Sequence, residues 1–132
     1  LALRDMLGLY RFKKVRFDTQ MYGVVGNAVQ HSMSPAVHNA SFDLLDINGL
    51  YVPLLVPDAE VLNEMVPRAL KSGFKGFSVT IPHKENVMKL VDELDPIAKQ
   101  IGAINTVVLQ SDGRTKGYNT DWSAAMDAVQ DA

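Results

Sequence analysis

Residues Gly76 to Lys84 read G-F-S-V-T-I-P-H-K, an apolar strand that runs into a proline. The strand delivers Thr80 to its end, and Pro82 fixes the turn that separates Thr80 from Lys84. A lysine just past a buried strand can be held partly desolvated, where its proton becomes easier to lose. Such a lysine can act as an acid or a base. The stretch therefore predicts a strand of the fold and one half of a reactive site.

Strand and helix signals alternate along the rest of the chain. We expect a helix capped by Ser34 to end near Asn48, with Gly49 as its left-handed stop, and a helix from about Lys84 to carry the apolar residues of 87–94. Alternation of this kind is typical of an α/β fold. We predict a three-layer αβα arrangement with a mostly parallel sheet of about six strands, one of them an antiparallel strand from a late hairpin. The strands are expected within residues 21–26, 50–56, 74–81, 104–109 and 115–118.

The predicted sheet also indicates where a ligand binds. In open α/β sheets, ligands bind beyond the carboxyl ends of the strands. We therefore expect the loops after Gly26, Val79 and Val108 to converge at one edge. Polar side chains on these loops are the first candidates for a functional site.

Composition excludes several classes of function. The 132 residues suit a single domain, and a formal charge of −2 provides no basic field for nucleic acid or an anionic membrane. The chain contains no cysteine, so neither disulfides nor thiolate chemistry arise within it. No apolar stretch approaches the roughly 20 residues that cross a bilayer. We expect a soluble, cytoplasmic protein whose partner is a small molecule, with no nucleic acid and no membrane.

The first 20 residues differ from the remainder. Helical spacing of apolar residues predicts a short amphipathic helix in the opening ten, followed by a linker around Asp18. Basic residues at 11, 13, 14 and 16 alternate with apolar ones, which is typical of a solvated connector. We therefore divide the chain into residues 1–20, a helix and linker, and residues 21–132, one domain. The chain begins with Leu1 rather than Met, and we expect it to be a processed chain or a piece of a longer one.

Two serines stand two residues apart in the segment Q-H-S-M-S-P-A-V-H-N. Ser32 and Ser34 lie at a strand-to-helix turn, where two hydroxyls beside free helix amides would bind a carboxylate. Helix capping by Ser34 alone explains the pattern equally well. His31 and His38 lack an adjoining acid pair, so we predict no metal site. His83 is left without a role.

A third group of polar residues lies in G-A-I-N-T-V and G-Y-N-T-D-W. Asn105 and Asp121 each have a structural explanation, because an asparagine can satisfy a loop and an acid is favoured in a first helical turn. If the sheet brings Asp121 near Lys84, however, the two form an acid–base pair in which the carboxylate orients the ammonium. The sequence by itself leaves these alternatives open.

The ordered motifs H-S-M-S-P, S-V-T-I-P-H-K-E, G-A-I-N-T and G-Y-N-T-D together resemble those of shikimate dehydrogenase. The resemblance runs from about Tyr22 to Trp122 and corresponds to the N-terminal, substrate-binding domain of that family. It implies NADP-dependent, reversible reduction of 3-dehydroshikimate to shikimate in aromatic amino acid biosynthesis. It also implies that NADP is bound mainly by a C-terminal Rossmann domain, since no G-x-G-x-x-G run follows a strand here. The 132 residues alone are therefore expected to be inactive.

The resemblance also implies roles for individual residues. Lys84 and Asp121 match the catalytic pair: Lys84 would donate a proton to the developing alkoxide as hydride arrives, while Asp121 would hold Lys84 and a substrate hydroxyl. The matched serines would bind the substrate carboxylate, and the threonine and asparagine would hold the carboxylate side and ring hydroxyls. The implied substrate-binding set is Ser32, Ser34, Thr80, Lys84, Asn105 and Asp121.

Three further readings stay open. Quinate dehydrogenase is a close rival, because hydroxyl preference depends on small differences in pocket shape. A non-catalytic module that binds a small hydroxy acid, or a purely structural domain, would show a similar pattern.

Residues 5–20 resemble the connector that follows a fused dehydroquinate dehydratase, which would make the parent bifunctional. We also expect self-association through an apolar patch near the last helix.

Overall fold

The computed structural model describes residues 3–130, and within them six strands form one sheet. The strands are β1 (Gln20–Gly26), β2 (Gly49–Leu55), β3 (Phe74–Val79), β4 (Glu93–Leu94), β5 (Thr106–Leu109) and β6 (Thr115–Tyr118). They lie in the order β2-β1-β3-β5-β6-β4. β5 is antiparallel to both of its neighbours, and the other paired strands are parallel. The predicted mostly parallel sheet with one antiparallel strand is confirmed.

The α-helices are α1 (Leu3–Leu7), α2 (Ser34–Leu44), α3 (Ala59–Lys71), α4 (Pro96–Ile101) and α5 (Asp121–Gln130). Helices cover both faces of the sheet, as predicted for a three-layer αβα fold. The larger core is formed with α3 and α4 and contains Leu62, Val66, Phe77 and Val107. The smaller core lies on the opposite face, where α2 supplies Phe42. No helix within residues 3–130 has the length and apolar character to cross a bilayer. Short 3-10 turns span Phe12–Lys14, Val29–His31 and Asn86–Leu90.

The reversed direction of β5 corrects the expected position of one loop. Val108 pairs with Gly76 near the start of β3, so the loop after Val108 lies at the edge opposite the ends of β1 and β3. The start of β5 takes its place, because the Val79 amide donates to the Asn105 carbonyl at 2.7 Å. Asn105 and the residues after β6 therefore share an edge with the loops after Gly26 and Val79.

Two helix boundaries differ from the expectation. α2 ends at Leu44, and the left-handed residue after it is Asp46 (φ 52°), while Gly49 already belongs to β2. A side chain at Gly49 would meet the Phe42 ring at 2.9 Å, so packing explains this glycine. The helix expected from Lys84 is instead the short 3-10 turn over 86–90, followed by β4. β4 pairs with β6, a distant partner that local periodicity does not reveal.

The basic segment near the start of the chain packs against the turn between α2 and β2. The Arg11 side chain is only 11% exposed, and its Nε lies 3.0 Å from Asp43 Oδ1. It also donates to the Gly49 carbonyl at 3.2 Å, and Lys14 Nζ lies 2.6 Å from the same Asp43 oxygen. Through these contacts the basic segment packs against the turn between α2 and β2. The division into residues 1–20 and 21–132 stays a prediction.

Asn39 attaches α2 to the outer side of β2. Its side-chain Nδ2 donates to the Tyr51 carbonyl, and its Oδ1 accepts from the Tyr51 amide, both at 2.8 Å. The His38 ring stacks on Tyr51 with centroids 4.2 Å apart. These contacts hold the start of α2, and the serines beside it, in a defined position against the sheet.

Candidate active site

All six predicted site residues line one cleft at the edge where β1 and β3 end. The cleft has a volume of about 370 Å³, within the range of small-molecule pockets. The structure brings these residues together, while their roles stay predictions. Three polar residues that the sequence analysis did not assign to the site also line it, namely Ser78, Thr106 and Thr120. Ser78 stands two residues before Thr80 on a strand, so period-two alternation was a signal that could have found it.

The first wall of the cleft is the turn that leads into α2. The Ser32 hydroxyl accepts a hydrogen bond from the Ser34 amide at 3.2 Å. Ser34 is the first residue of α2 and Met33 occupies the cap position without a side-chain bond, so the expectation that Ser34 caps the helix is wrong. The helix start still turns its partial positive charge toward this wall. The wall thus offers hydroxyls and a favourable potential for an anion.

The second wall is the turn from Thr80 to Lys84. The Thr80 amide donates to the Val25 carbonyl at 2.9 Å, which continues the contact between β3 and β1. The peptide bond between Ile81 and Pro82 is cis. The Lys84 carbonyl accepts from the Ile104 amide at 2.9 Å, so the main chain at Lys84 is tied to the residues that enter β5. The Lys84 side chain is 32% exposed and extends into the cleft.

Lys84 and Asp121 form an ion pair inside the cleft. Lys84 Nζ donates to Asp121 Oδ2 at 2.5 Å. This hydrogen bond is the main reason why the pKa of the Asp121 carboxyl lies below its usual value. The hydrogen bond from Asn105 and the charge of Lys84 lower the pKa further, against the opposing effect of partial burial. The sequence predicted an acid–base pair only if the sheet brought Asp121 near Lys84, and the structure shows that it does.

Asn105 connects the start of β5 to the start of α5. Its Nδ2 donates to Asp121 Oδ1 at 2.7 Å and to Thr120 Oγ1 at 2.9 Å. Its Oδ1 accepts from the Thr120 amide at 3.0 Å. The first amides of α5 are capped by the Oδ1 of Asn119, at 3.1 Å from the Asp121 nitrogen. Asn119 therefore caps α5, and the Asp121 carboxylate points toward Lys84.

The three histidines lie outside this cleft. His31 and His38 are exposed, and no group of three or more His, Asp or Glu side chains within residues 3–130 is arranged to hold a metal ion. His83 differs from both, because its side chain is completely buried and Nε2 lies 2.8 Å from the Val56 carbonyl oxygen. Its place between Thr80 and Lys84 was visible in the sequence, whereas its inward orientation was not.

The arrangement combines a group that can donate a proton with hydroxyls and an amide that can bind a polyhydroxylated anion. The Lys84 ammonium can donate a proton to an oxygen that gains negative charge, with Asp121 keeping it oriented. Hydroxyls and an amide around the cleft can donate to and accept from substrate hydroxyls. Such a site is suited to carbonyl–alcohol chemistry on a small polar acid.

Comparison with known proteins places the chain in a family. Residues 24–107 match the family described as the shikimate dehydrogenase substrate binding domain. The match covers more than half of the chain, and this protein therefore belongs to that family.

The relatives compared with this chain are considerably longer than it. A chloroplastic bifunctional 3-dehydroquinate dehydratase/shikimate dehydrogenase of Arabidopsis thaliana is 46% identical over 98% of this chain and 21% of its own length. The shikimate dehydrogenase (NADP(+)) of Bacillus cereus strain AH187 is 51% identical over 84% of this chain and 39% of its own length. A crystal structure of Listeria monocytogenes shikimate 5-dehydrogenase with shikimate and NAD superposes with a TM-score of 0.82 at 32% identity, covering 89% of this chain and 40% of that one. The chain thus spans less than half of each of them.

Proposed function

We propose that this chain is the substrate-binding half of an NADP-dependent shikimate dehydrogenase, which reversibly reduces 3-dehydroshikimate to shikimate. The observation that carries the proposal is the Lys84–Asp121 pair, 2.5 Å apart in a cleft lined by hydroxyls and an amide. Family membership supports the same assignment. The names of the Bacillus cereus and Listeria monocytogenes relatives supply the substrate and cofactor that we carry over.

In this proposal the polar side chains of the cleft bind the carboxylate and the ring hydroxyls of the substrate. Ser32 and Ser34 bind the carboxylate, because their hydroxyls flank the positive end of α2. Thr80 and Asn105 bind the carboxylate side and the ring hydroxyls. The substrate is thereby oriented with its reacting oxygen toward the Lys84 ammonium.

Lys84 and Asp121 provide the proton chemistry. In the direction of reduction, Lys84 donates a proton to the carbonyl oxygen as negative charge develops on it. In the reverse direction the neutral amine accepts the proton of the alcohol. Asp121 stays ionised throughout, because the Lys84 and Asn105 hydrogen bonds lower its pKa, and it holds both the ammonium and a substrate hydroxyl. The nicotinamide of NADPH, when bound, supplies hydride to the carbonyl carbon.

We propose that the described residues do not form the main dinucleotide site. The glycine that ends β1, Gly26, packs tightly against Thr80, Val29 and the Ile81 carbonyl, so its missing side chain leaves no open cradle for a pyrophosphate. We propose that NADP is bound mainly by the part of the longer relatives that this chain does not cover. The chain alone should then show no shikimate-dependent reduction of NADP.

An NMR titration with shikimate tests the proposal. We expect shifts at Ser32, Thr80, Asn105 and Asp121, with millimolar affinity, about 4 kcal/mol, because the cleft is open to solvent. Lys84→Ala and Ser32→Ala should both weaken binding. Ser41→Ala is the matched control and should bind as the parent does, because Ser41 is a half-buried serine whose hydroxyl bonds within α2. NADP should cause no comparable shifts.

Absence of any response at millimolar shikimate would contradict the proposal that this half binds the substrate. Equal binding by the parent and the Lys84→Ala and Ser32→Ala variants would contradict the assigned residues. The alignment with the Arabidopsis thaliana relative covers 98% of this chain, which supports the hypothesis that residues 5–20 are a connector of a bifunctional parent. The cytoplasmic location stays a prediction.

A further inference from the structure

His83 lies in the turn between Thr80 and Lys84, but its side chain points away from the cleft. The imidazole is 0% exposed, and Nε2 lies 2.8 Å from the Val56 carbonyl oxygen. Val56 directly follows β2, and its amide donates to the Gly26 carbonyl at 2.9 Å. The ring therefore links the turn that carries Lys84 to the ends of two strands.

The hydrogen-bond partner determines the tautomer of the ring. A backbone carbonyl only accepts, so the Nε2 of His83 carries the hydrogen and donates it to Val56. The other nitrogen, Nδ1, is buried without a hydrogen-bond partner among residues 3–130. An apolar side chain of similar size would bury no unpaired nitrogen, so burial alone does not favour histidine here. What histidine adds at this position is the bond to Val56.

We propose that His83 is a positioning residue that holds the turn so that the Lys84 ammonium is presented to Asp121 and to the substrate. The inference deepens the proposed function and rests on it for the substrate. His83 does not line the cleft, so it acts through Lys84.

Other contacts hold the same turn from different directions. The Asn27 amide donates to the Ile81 carbonyl at 3.3 Å, and the Ile104 amide donates to the Lys84 carbonyl at 2.9 Å. These main-chain bonds tie the turn to the loop after β1 and to the residues before β5. The His83 ring ties it to the end of β2. Without the ring bond the turn gains freedom on that side, and hydrogen bonds weaken steeply as their geometry departs from the optimum.

Three substitutions at His83 separate the bond from the bulk of the ring. His83→Phe keeps an aromatic ring without the donor. His83→Gln carries an amide nitrogen that reaches about as far as Nε2, whereas the shorter amide of His83→Asn does not reach Val56. Val66→Ala is the matched control, because Val66 is also completely buried but lies in α3 and does not line the cleft.

Two measurements are made on each variant of the chain. The first is the titration midpoint of the Asp121 carboxyl by carbon-detected NMR, which reports the Lys84 hydrogen bond without any ligand. The second is the dissociation constant for shikimate. We expect His83→Phe and His83→Asn to raise the Asp121 midpoint toward the ordinary value near 3.9 and to weaken shikimate binding about two- to tenfold. His83→Gln should stay close to the parent in both, and Val66→Ala should change stability alone.

Equal midpoints for the Gln and Asn variants would overturn the inference, as would a shift of the same size in Val66→Ala. If His83→Phe does not fold, the Gln and Asn pair still decides the question. If the parent fails to bind shikimate, the proposed function is wrong, while the Asp121 midpoint still tests whether His83 positions Lys84.

Discussion

Replacing Asn39 with alanine should destabilise the fold strongly, because the Asn39 side chain forms hydrogen bonds with backbone groups on the outer side of an edge strand. β2 lies at one end of the sheet, with β1 on its inner side. The Tyr51 amide and carbonyl both point away from β1 and would be unpaired without a partner from α2. Asn39 is 2% exposed and supplies both partners at 2.8 Å.

The expected loss follows from these two bonds. Each buried backbone group that is left unpaired costs about 1–3 kcal/mol, so the pair costs about 2–6 kcal/mol. Water that enters the polar space left by the amide recovers part of this cost. We therefore expect the free energy of unfolding to fall by about 2–4 kcal/mol. With a urea dependence of about 2 kcal/mol per molar, the midpoint of unfolding falls by about 1–2 M.

Urea unfolding followed by circular dichroism measures the effect, with Ser41→Ala on the same helix as the control. The Ser41 hydroxyl bonds to the Val37 carbonyl within α2, so its loss should cost less than about 0.5 kcal/mol. Amide exchange at Tyr51 should become faster in Asn39→Ala. A loss below about 1 kcal/mol, or one no larger than in Ser41→Ala, would refute the reasoning that Asn39 completes the edge strand.

Three other predictions concern the cleft and the last helix. Gly26→Ala should displace Thr80, because the added methyl group would overlap Thr80 Cγ2, and should weaken shikimate binding in the NMR titration; unchanged Thr80 signals would contradict this. Because the pKa of Asp121 is lowered in the folded state, its ionised carboxylate stabilises the fold at pH values above the ordinary carboxyl pKa. This contribution to the free energy of unfolding is lost as the pH falls through the lowered pKa. Lys84→Met should raise the Asp121 midpoint, and an unchanged midpoint would show that the ion pair is not formed in solution. If the chain self-associates through the exposed apolar face of α5, its sedimentation should depend on concentration. Met126 lies on this face and is 41% exposed, so Met126→Glu should abolish the dependence. A monomer at high concentration would contradict self-association.

The local pattern of apolar residues was sufficient to predict most strands of the sheet and, with them, the α/β fold class. The apolar run of 74–81 predicted a strand, and the structure has β3 there, since such a run is typical of a buried strand. It was insufficient for the residues after Pro82, where apolar side chains at short spacing serve a 3-10 turn and a two-residue strand instead of a helix. The pairing of β4 with β6 joins residues about twenty positions apart, and such pairing depends on packing of the whole sheet.

The sequence by itself determined which chemical groups the protein carries and in what order, and its motifs were sufficient to indicate the family. Only the tertiary structure decided which groups meet. β5 runs opposite to its neighbours, and this reversal brings Asn105 to the edge occupied by Lys84 and Asp121. The inward orientation of His83 likewise depends on Val56, a residue 27 positions away in the chain. The hairpin signal indicated that one strand runs antiparallel, but the neighbours that β5 joins and the orientation of a side chain such as that of His83 result from long-range packing, which a short segment does not specify by itself.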